Sequence, residues 1–240
     1  MRPYIICHMI TSIDGRLHPS RFTAAAAGIS TDALRGHYET VADQFEAEGW
    51  IVGRMTMSEM AKGQERTVSA VTPIERTPYV ANRNGRNLAI AIDPSGRLHY
   101  GRDNIGGDHI VAVLGEQVSD AYLSELWEDG VSYVFAGPKG DDLSLAMAQL
   151  ASVFGVKKLL LEGGGRINGS FLRQRLIDEF STLIYPGIDG LAGTPSIVDW
   201  DGGDDDQRPG AGQALRLIAC ETLEGGMVWL RHAVEPAPAV

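Results

Sequence analysis

The stretch Leu159-Leu160-Leu161-Glu162-Gly163-Gly164-Gly165-Arg166-Ile167-Asn168-Gly169-Ser170 decides how this chain reads. An apolar run of strand length ends in a carboxylate. Three glycines follow, then a segment that can start a helix. Glycine tolerates positive φ and lets a ligand approach the main chain closely. Free N–H groups at a helix start face such a ligand, and the helix dipole favours an anion there. The stretch predicts a dinucleotide phosphate at Gly163 to Ser170, with Glu162 at the edge of a reaction chamber. The plainer reading is a tight strand-to-helix turn and nothing more.

Composition narrows the classes around it. The chain has 240 residues, 44% hydrophobic content and a net charge of −10 from 31 acidic and 21 basic residues. That balance argues against broad nucleic-acid or anionic-membrane binding, which need a basic face. One anionic small molecule held by local N–H groups and an arginine remains compatible. Cys7 and Cys220 both lie in apolar runs, so two buried, reduced thiols are expected rather than a disulfide or a zinc site. No signal peptide is read at the N-terminus, and no run approaches the roughly 20 apolar residues of a membrane span. A soluble, cytoplasmic protein without a metal is the expectation.

Outward from the glycines, apolar runs predict strands over 4–11, 50–52, 88–92, 109–114, 131–136, 158–162 and 180–185. Helical spacing predicts helices over about 31–48, 120–128 and 143–154, and one running on through 171–177. Ser30 or Thr31 caps the first. Thr56 or Ser58 caps a short helix after Gly53-Arg54. Ser12-Ile13-Asp14-Gly15 is a turn, and Arg16 to Gly28 reads as a mobile loop. Residues 62–86 read mostly as loop. Two strands around Gly225-Gly226 form a closing hairpin. Alternating strands and helices followed by a hairpin predict an α/β fold, mostly parallel with an antiparallel edge. One domain over 1–234 with a frayed tail over 235–240 is the simplest division.

Familiar nucleotide signatures do not fit. Gly163, Gly165 and Gly169 miss the G-x-G-x-x-G spacing by one residue and come late in the chain. No tyrosine begins a Tyr-x-x-x-Lys pair, and there is no P-loop. A different combination does fit. Ser12-Ile13-Asp14-Gly15, Val52-Gly53-Arg54-x-Thr56, Glu162-Gly163-Gly164-Gly165, and Leu176-Ile177-Asp178-Glu179 followed by Tyr185-Pro186-x-Ile188-x-Gly190 occur in order. Together, over about residues 3–232, they resemble the dihydrofolate-reductase-like superfamily, and within it the reductase domain of riboflavin biosynthesis.

The resemblance implies a three-layer α/β/α fold, an NADPH cofactor, a small-molecule substrate and a homodimer. It places the pyrophosphate on Gly163, Gly164, Gly165, Arg166, Ile167 and Asn168. Gly53, Arg54 and Thr56 should contact the cofactor, and Ile10 and Ser12 should line the nicotinamide. Ser95 sits where the family meets the adenosine end, with Arg97 able to answer a 2′-phosphate. Glu162 takes the place of the family's carboxylate at the substrate, and Asp14 heads a covering loop over Arg16 to Gly28.

Plain alternatives stand beside each. Thr56 can be a cap, Arg54 a solvated side chain, and Asp14 a structural turn residue. His18, His37, His99 and His109 show no paired acid in sequence. The run Asp199, Asp201, Asp204, Asp205, Asp206 reads as a solvated loop rather than a Ca²⁺ site.

Three departures from the family concern the substrate. His8 stands where a lysine or asparagine is common, Gln44 where an arginine faces the sugar phosphate, and Met60 where an aspartate is usual. The cofactor half is spared. His8 is therefore either a proton donor beside the nicotinamide or a half-buried histidine bonded to a backbone carbonyl. The expected activity is hydride transfer to a heterocyclic, imine or carbonyl substrate, with pyrimidine reduction as the reference and a pterin as the rival. A nucleotide-binding protein without turnover is the other class.

Overall fold

Leu, Ile, Val and Ala runs make the strands of the computed structural model, which describes residues 1–66, 68, 73–202 and 208–238. In chain order, β1 (Tyr4–Ser12) and α1 (Thr31–Asp43) are followed by β2 (Gly49–Gly53), α2 (Arg54–Ser58) and β3 (Leu88–Ile92). Then come β4 (Asn104–Ile105), β5 (Asp108–Leu114), α3 (Asp120–Asp129), β6 (Ser132–Phe135) and α4 (Leu143–Phe154). The last group is β7 (Lys158–Leu161), α5 (Gly165–Arg173), β8 (Glu179–Tyr185), β9 (Gln213–Thr222) and β10 (Val228–Pro236). The chain divides into two units: Met1–Pro3 with Glu48–Leu159, and Tyr4–Ala47 with Leu160–Val240.

In the first unit β2, β3, β5 and β6 pair parallel in that order, and β4 adds antiparallel to β5. Every residue of β3 is buried. This two-sided burial explains why these strands read as continuous apolar runs rather than alternating ones. Ser119 accepts a hydrogen bond from the Tyr122 N–H at the start of α3, and Asp142 accepts one from Leu145 at the start of α4. Gly130 and Gly155 close the two helices in the left-handed region that glycine enters without strain.

In the second unit β1 pairs parallel with β8, β8 antiparallel with β10, and β10 antiparallel with β9. The parallel strands with an antiparallel C-terminal hairpin are the arrangement the sequence pattern predicts. β9 is the outermost strand, and Leu215, Leu217 and Ile218 on it are exposed. Ser30 caps α1 through the Ala33 N–H. β10 takes in Glu235 and Pro236, which were placed in the tail; residues 239 and 240 lie outside the described residues.

Several sequence expectations need correction. α1 stops at Asp43 rather than running to Glu48: Glu46 turns out of helical geometry at a φ of 49°, and Glu48 pairs with the Lys158 backbone. Thr56 and Ser58 do not cap α2; Gly53 is its N-cap and both residues lie inside the helix. α5 ends at Arg173 rather than running to Ile177, and Arg175 adopts a φ of 55°. Cys7 is buried as expected, but Cys220 is exposed on the edge strand. No helix among the described residues is long and apolar enough to cross a membrane.

Candidate active site

β7 delivers Glu162 to the head of the glycine turn, and each glycine there has a different reason. Gly163 has a φ of 91°, and a Cβ on it would meet the Met9 Cε at 2.9 Å. Gly164 is the N-cap of α5, and a Cβ on it would meet nothing within 4 Å. A Cβ on Gly165 would run into the Ser196 carbonyl, and one on Gly169 into the Asp199 carbonyl. These two glycines therefore admit the chain's own loop at 196–199. The Asn168 side chain is fully buried and donates to the Ile197 carbonyl at 2.8 Å, while its Oδ1 has no hydrogen-bond partner among the described residues. Ile167 is half-buried, and Arg166 is exposed and pairs with Asp201 at 3.2 Å. Among the described residues, open space over Gly164 where α5 begins leaves room for an anionic group at a helix start.

A buried polar chain lies on the same unit. His8 has no solvent exposure. Its Nδ1 is 3.0 Å from Ser181 Oγ, and its Nε2 is 3.1 Å from the Tyr38 carbonyl. Trp229 Nε1–H donates to the same Ser181 oxygen at 2.9 Å. The Tyr38 carbonyl can only accept, so Nε2 carries the proton, and Nδ1 of the neutral ring accepts from the serine hydroxyl. That fixes the His8 proton on Nε2, donated to Tyr38. The Tyr38 hydroxyl in turn donates to the His8 carbonyl at 3.1 Å, and the two rings lie 4.3 Å apart. Burial pushes the His8 pKa down to about 4, against a smaller opposing effect of the Tyr38 carbonyl. Burial first, and then the Glu162 charge, push the Tyr38 pKa up. Sequence reading missed Tyr38, Ser181 and Trp229 as site residues. Only Tyr38 carried a signal, its place on the inward face of α1.

Asp14 ties down the turn after β1. One carboxylate oxygen accepts from the Ser12 hydroxyl at 2.7 Å and the Asp189 N–H at 3.1 Å; the other accepts from Gly190 N–H at 2.9 Å. The Ser12 hydrogen bond, then those of Gly190 and Asp189, lower its pKa to about 2. Arg16 donates to the Thr194 carbonyl, and Arg21 reaches the buried Asp189 carboxylate at 2.7 Å. The loop from Arg16 is thus stitched to residues 187–195. Ile10 is half-buried on β1, two residues before Ser12.

The remaining candidates belong to the first unit. Gly53 and Arg54 begin α2, and Thr56 is half-buried within it. Arg54 Nε lies 4.0 Å from Asp93 Oδ1, whose other oxygen accepts from the Arg97 and Leu98 N–H groups. Burial raises the Asp93 pKa, outweighing those hydrogen bonds and the arginine. Ser95 is exposed in the turn that follows. His99, read as having no paired acid, is in contact with Glu125 at 2.8 Å, a pairing across 26 residues. The acidic run is not a metal cluster among the described residues; Asp199 caps Ser196, and Asp204 to Asp206 lie outside them.

The fold is that of known reductases. A pyrimidine reductase-like protein from Corynebacterium diphtheriae superposes with a TM-score of 0.63 at 19% identity, over 98% of this chain and 93% of that one. The riboflavin biosynthesis reductase of Saccharomyces cerevisiae gives 0.59 at 13% identity, over 98% and 90%. Residues 3–229 match the RibD C-terminal domain, and the chain belongs to that family. A 2,5-diamino-6-ribosylamino-4(3H)-pyrimidinone 5′-phosphate reductase from Methanothermobacter thermautotrophicus is 27% identical over 209 residues, 85% of this chain and 88% of that protein. The Aquifex aeolicus reductase of the same name is 25% identical over 203 residues, 84% of each.

Proposed function

We propose that residues 1–234 act as an NADPH-dependent reductase of a pyrimidinone bearing a ribosylamino 5′-phosphate, the substrate class in the names of its relatives. The observation that carries the reading is the turn at 162–165: a carboxylate at its head and open space over Gly164 where α5 begins. NADPH, when bound, supplies the hydride. The chain supplies the rest. The first amides of α5 and the open Gly164 hold the pyrophosphate. Ile10 and Ser12 line the nicotinamide. For Gly53, Arg54, Thr56 and Ser95, cofactor contact is what the family resemblance implies.

Glu162 faces the reacting carbon and stabilises the positive charge that develops as an imine or opened sugar is reduced. His8 holds β1 against α1 and does not deliver the proton. Both its nitrogens are engaged by protein groups, and burial keeps it neutral at pH 7. Asp14 acts on the reaction only by anchoring the turn that begins the Arg16 to Gly28 loop. Held in this way, the loop would exclude water from the site.

A cytoplasmic homodimer is part of the same reading. The strand β9 supports it, because it is the last of its sheet among the described residues and presents Leu215, Leu217 and Ile218 as apolar surface. Purified protein given NADPH and a panel of pyrimidine, pterin and carbonyl compounds tests the function. Turnover on the ribosylamino pyrimidinone phosphate is expected to exceed all others. Saturable cofactor binding with no turnover on any member would replace the reductase with a nucleotide-binding protein.

A further inference from the structure

Two glycines of α5 receive a strap of the chain's own backbone. Gly165 opens the helix, and Gly169 lies one turn further on the same face. A Cβ on Gly165 would strike the Ser196 carbonyl and stand 2.8 Å from Asp199 Oδ2, and one on Gly169 would strike the Asp199 carbonyl. The strap is bonded as well as packed. The Asp199 N–H donates to the Gly165 carbonyl at 3.0 Å, and Asn168 Nδ2 to the Ile197 carbonyl at 2.8 Å. Further along, Arg173 stands over the Trp200 ring at 4.5 Å, and Arg166 pairs with Asp201 at 3.2 Å. Upstream, the Pro195 carbonyl accepts from the Leu17 N–H at 3.1 Å, and the Thr194 carbonyl from Arg16 at 3.0 Å. The Asp199 carboxylate gives the strap its shape. One oxygen accepts the Ser196 N–H at 3.1 Å and the other lies 2.9 Å from the Ser196 hydroxyl, which closes residues 196–199 on themselves. The hydroxyl has a second acceptor in the Val198 carbonyl at 2.8 Å.

We propose that Asp199 is a positioning residue for the cofactor: its carboxylate shapes the 196–199 strap, and the strap fixes the first turn of α5, against which the NADPH pyrophosphate lies. The inference rests on the reading that the start of α5 holds that pyrophosphate. Asp199 acts through the Gly165 and Gly169 backbone and touches neither cofactor nor substrate in this role. Its charge alone works the other way. The carboxylate lies beside the first turn of α5, where the helix dipole favours an anion, so it competes with the phosphates for the same field. Shape and charge therefore pull cofactor affinity in opposite directions, and substitution separates them.

The test is calorimetric titration of NADPH into wild type, Asp199→Ala and Asp199→Asn, with hydrogen exchange of the Asp199 amide followed in the free proteins. Alanine removes both acceptors, so this amide should exchange faster and NADPH affinity should fall about tenfold. Asparagine removes the charge but keeps an acceptor for the Ser196 N–H, with the Ser196 hydroxyl turned to Val198. Its affinity should return to the wild-type value or exceed it. In turnover, KM for NADPH should follow the same order, while KM for 2,5-diamino-6-ribosylamino-4(3H)-pyrimidinone 5′-phosphate stays in place. Ser196→Ala removes only the hydroxyl donor and carries the test if Asp199→Ala does not fold; its affinity should fall about threefold. Equal losses in the alanine and asparagine variants would assign the effect to charge and overturn the proposal. Faster exchange of the Asp199 amide with unchanged NADPH affinity would overturn it too. Wild-type NADPH binding that is indifferent to these changes would remove the strap's role and leave the proposed function standing. Absence of NADPH binding by the wild type would remove both.

Discussion

Burial of His8 makes a definite claim about acid sensitivity. The folded protein holds this imidazole near a pKa of about 4, against an ordinary value of 6.5, because burial penalises the cation. The unfolded chain therefore binds a proton, on lowering the pH through 6.5, that the folded chain refuses until about 4. Stability linked to His8 is fully present above pH 6.5, falls as pH drops through that window, and levels off below 4. Each pH unit of displacement corresponds to roughly 1.4 kcal/mol, so the whole effect is about 3 kcal/mol. That is a large share of the 5–15 kcal/mol or so typical of a domain. Urea unfolding of wild type and His8→Asn at several pH values between 7 and 4 measures it. His109 is held low in the same way by burial and by Arg86, but it is present in both proteins and cancels. Wild type should lose about 1.4 kcal/mol per pH unit more than the variant inside the window. Parallel pH slopes for the two proteins would show that His8 titrates normally, and would return it to the list of proton donors.

Three further outcomes follow from the same geometry. Gly164→Ala should leave the melting temperature unchanged and weaken NADPH binding, because its Cβ would stand in the open space over α5; Gly169→Ala, a change that helix propensity alone would favour, should instead destabilise by about 3 kcal/mol, because its Cβ would meet the Asp199 carbonyl. Thermal melts and cofactor titrations of both variants check this. Asp14→Ala removes the acceptor for Ser12, Asp189 and Gly190, so limited proteolysis should cut faster within residues 13–28. The Leu217→Lys change on β9 should shift the proposed dimer toward monomer in sedimentation, since it charges an exposed apolar edge.

Much of the fold was legible because its determinants are local. Leu88 to Ile92 reads as a buried strand without help, and Ser30 advertises the helix it caps. Glu162 and the three glycines likewise marked their turn. What each glycine is for was not legible. Gly165 and Gly169 answer to backbone some 30 residues further on, and only Gly164 opens onto free space. His8 was ambiguous for the same reason. Its partners Tyr38 and Ser181 are 30 and 173 residues away, and the carbonyl that fixes its proton comes from α1. Gly53 displaced Thr56 as a cap because strand β2 runs straight into α2, leaving no turn for a side chain to close. Cys220 looked internal because apolar residues surround it in sequence, yet on an edge strand those residues face outward.

The central claim is hydride delivery from NADPH to the sugar carbon of the pyrimidine substrate. Reaction of the protein with NADPH deuterated at the transferring position and the ribosylamino pyrimidinone phosphate, followed by mass spectrometry of the product, tests it most directly. A ribityl product carrying one deuterium at C1′, lost when Glu162 is changed to Gln, is the predicted result. No labelled ribityl product under conditions where NADPH binding saturates would contradict the account.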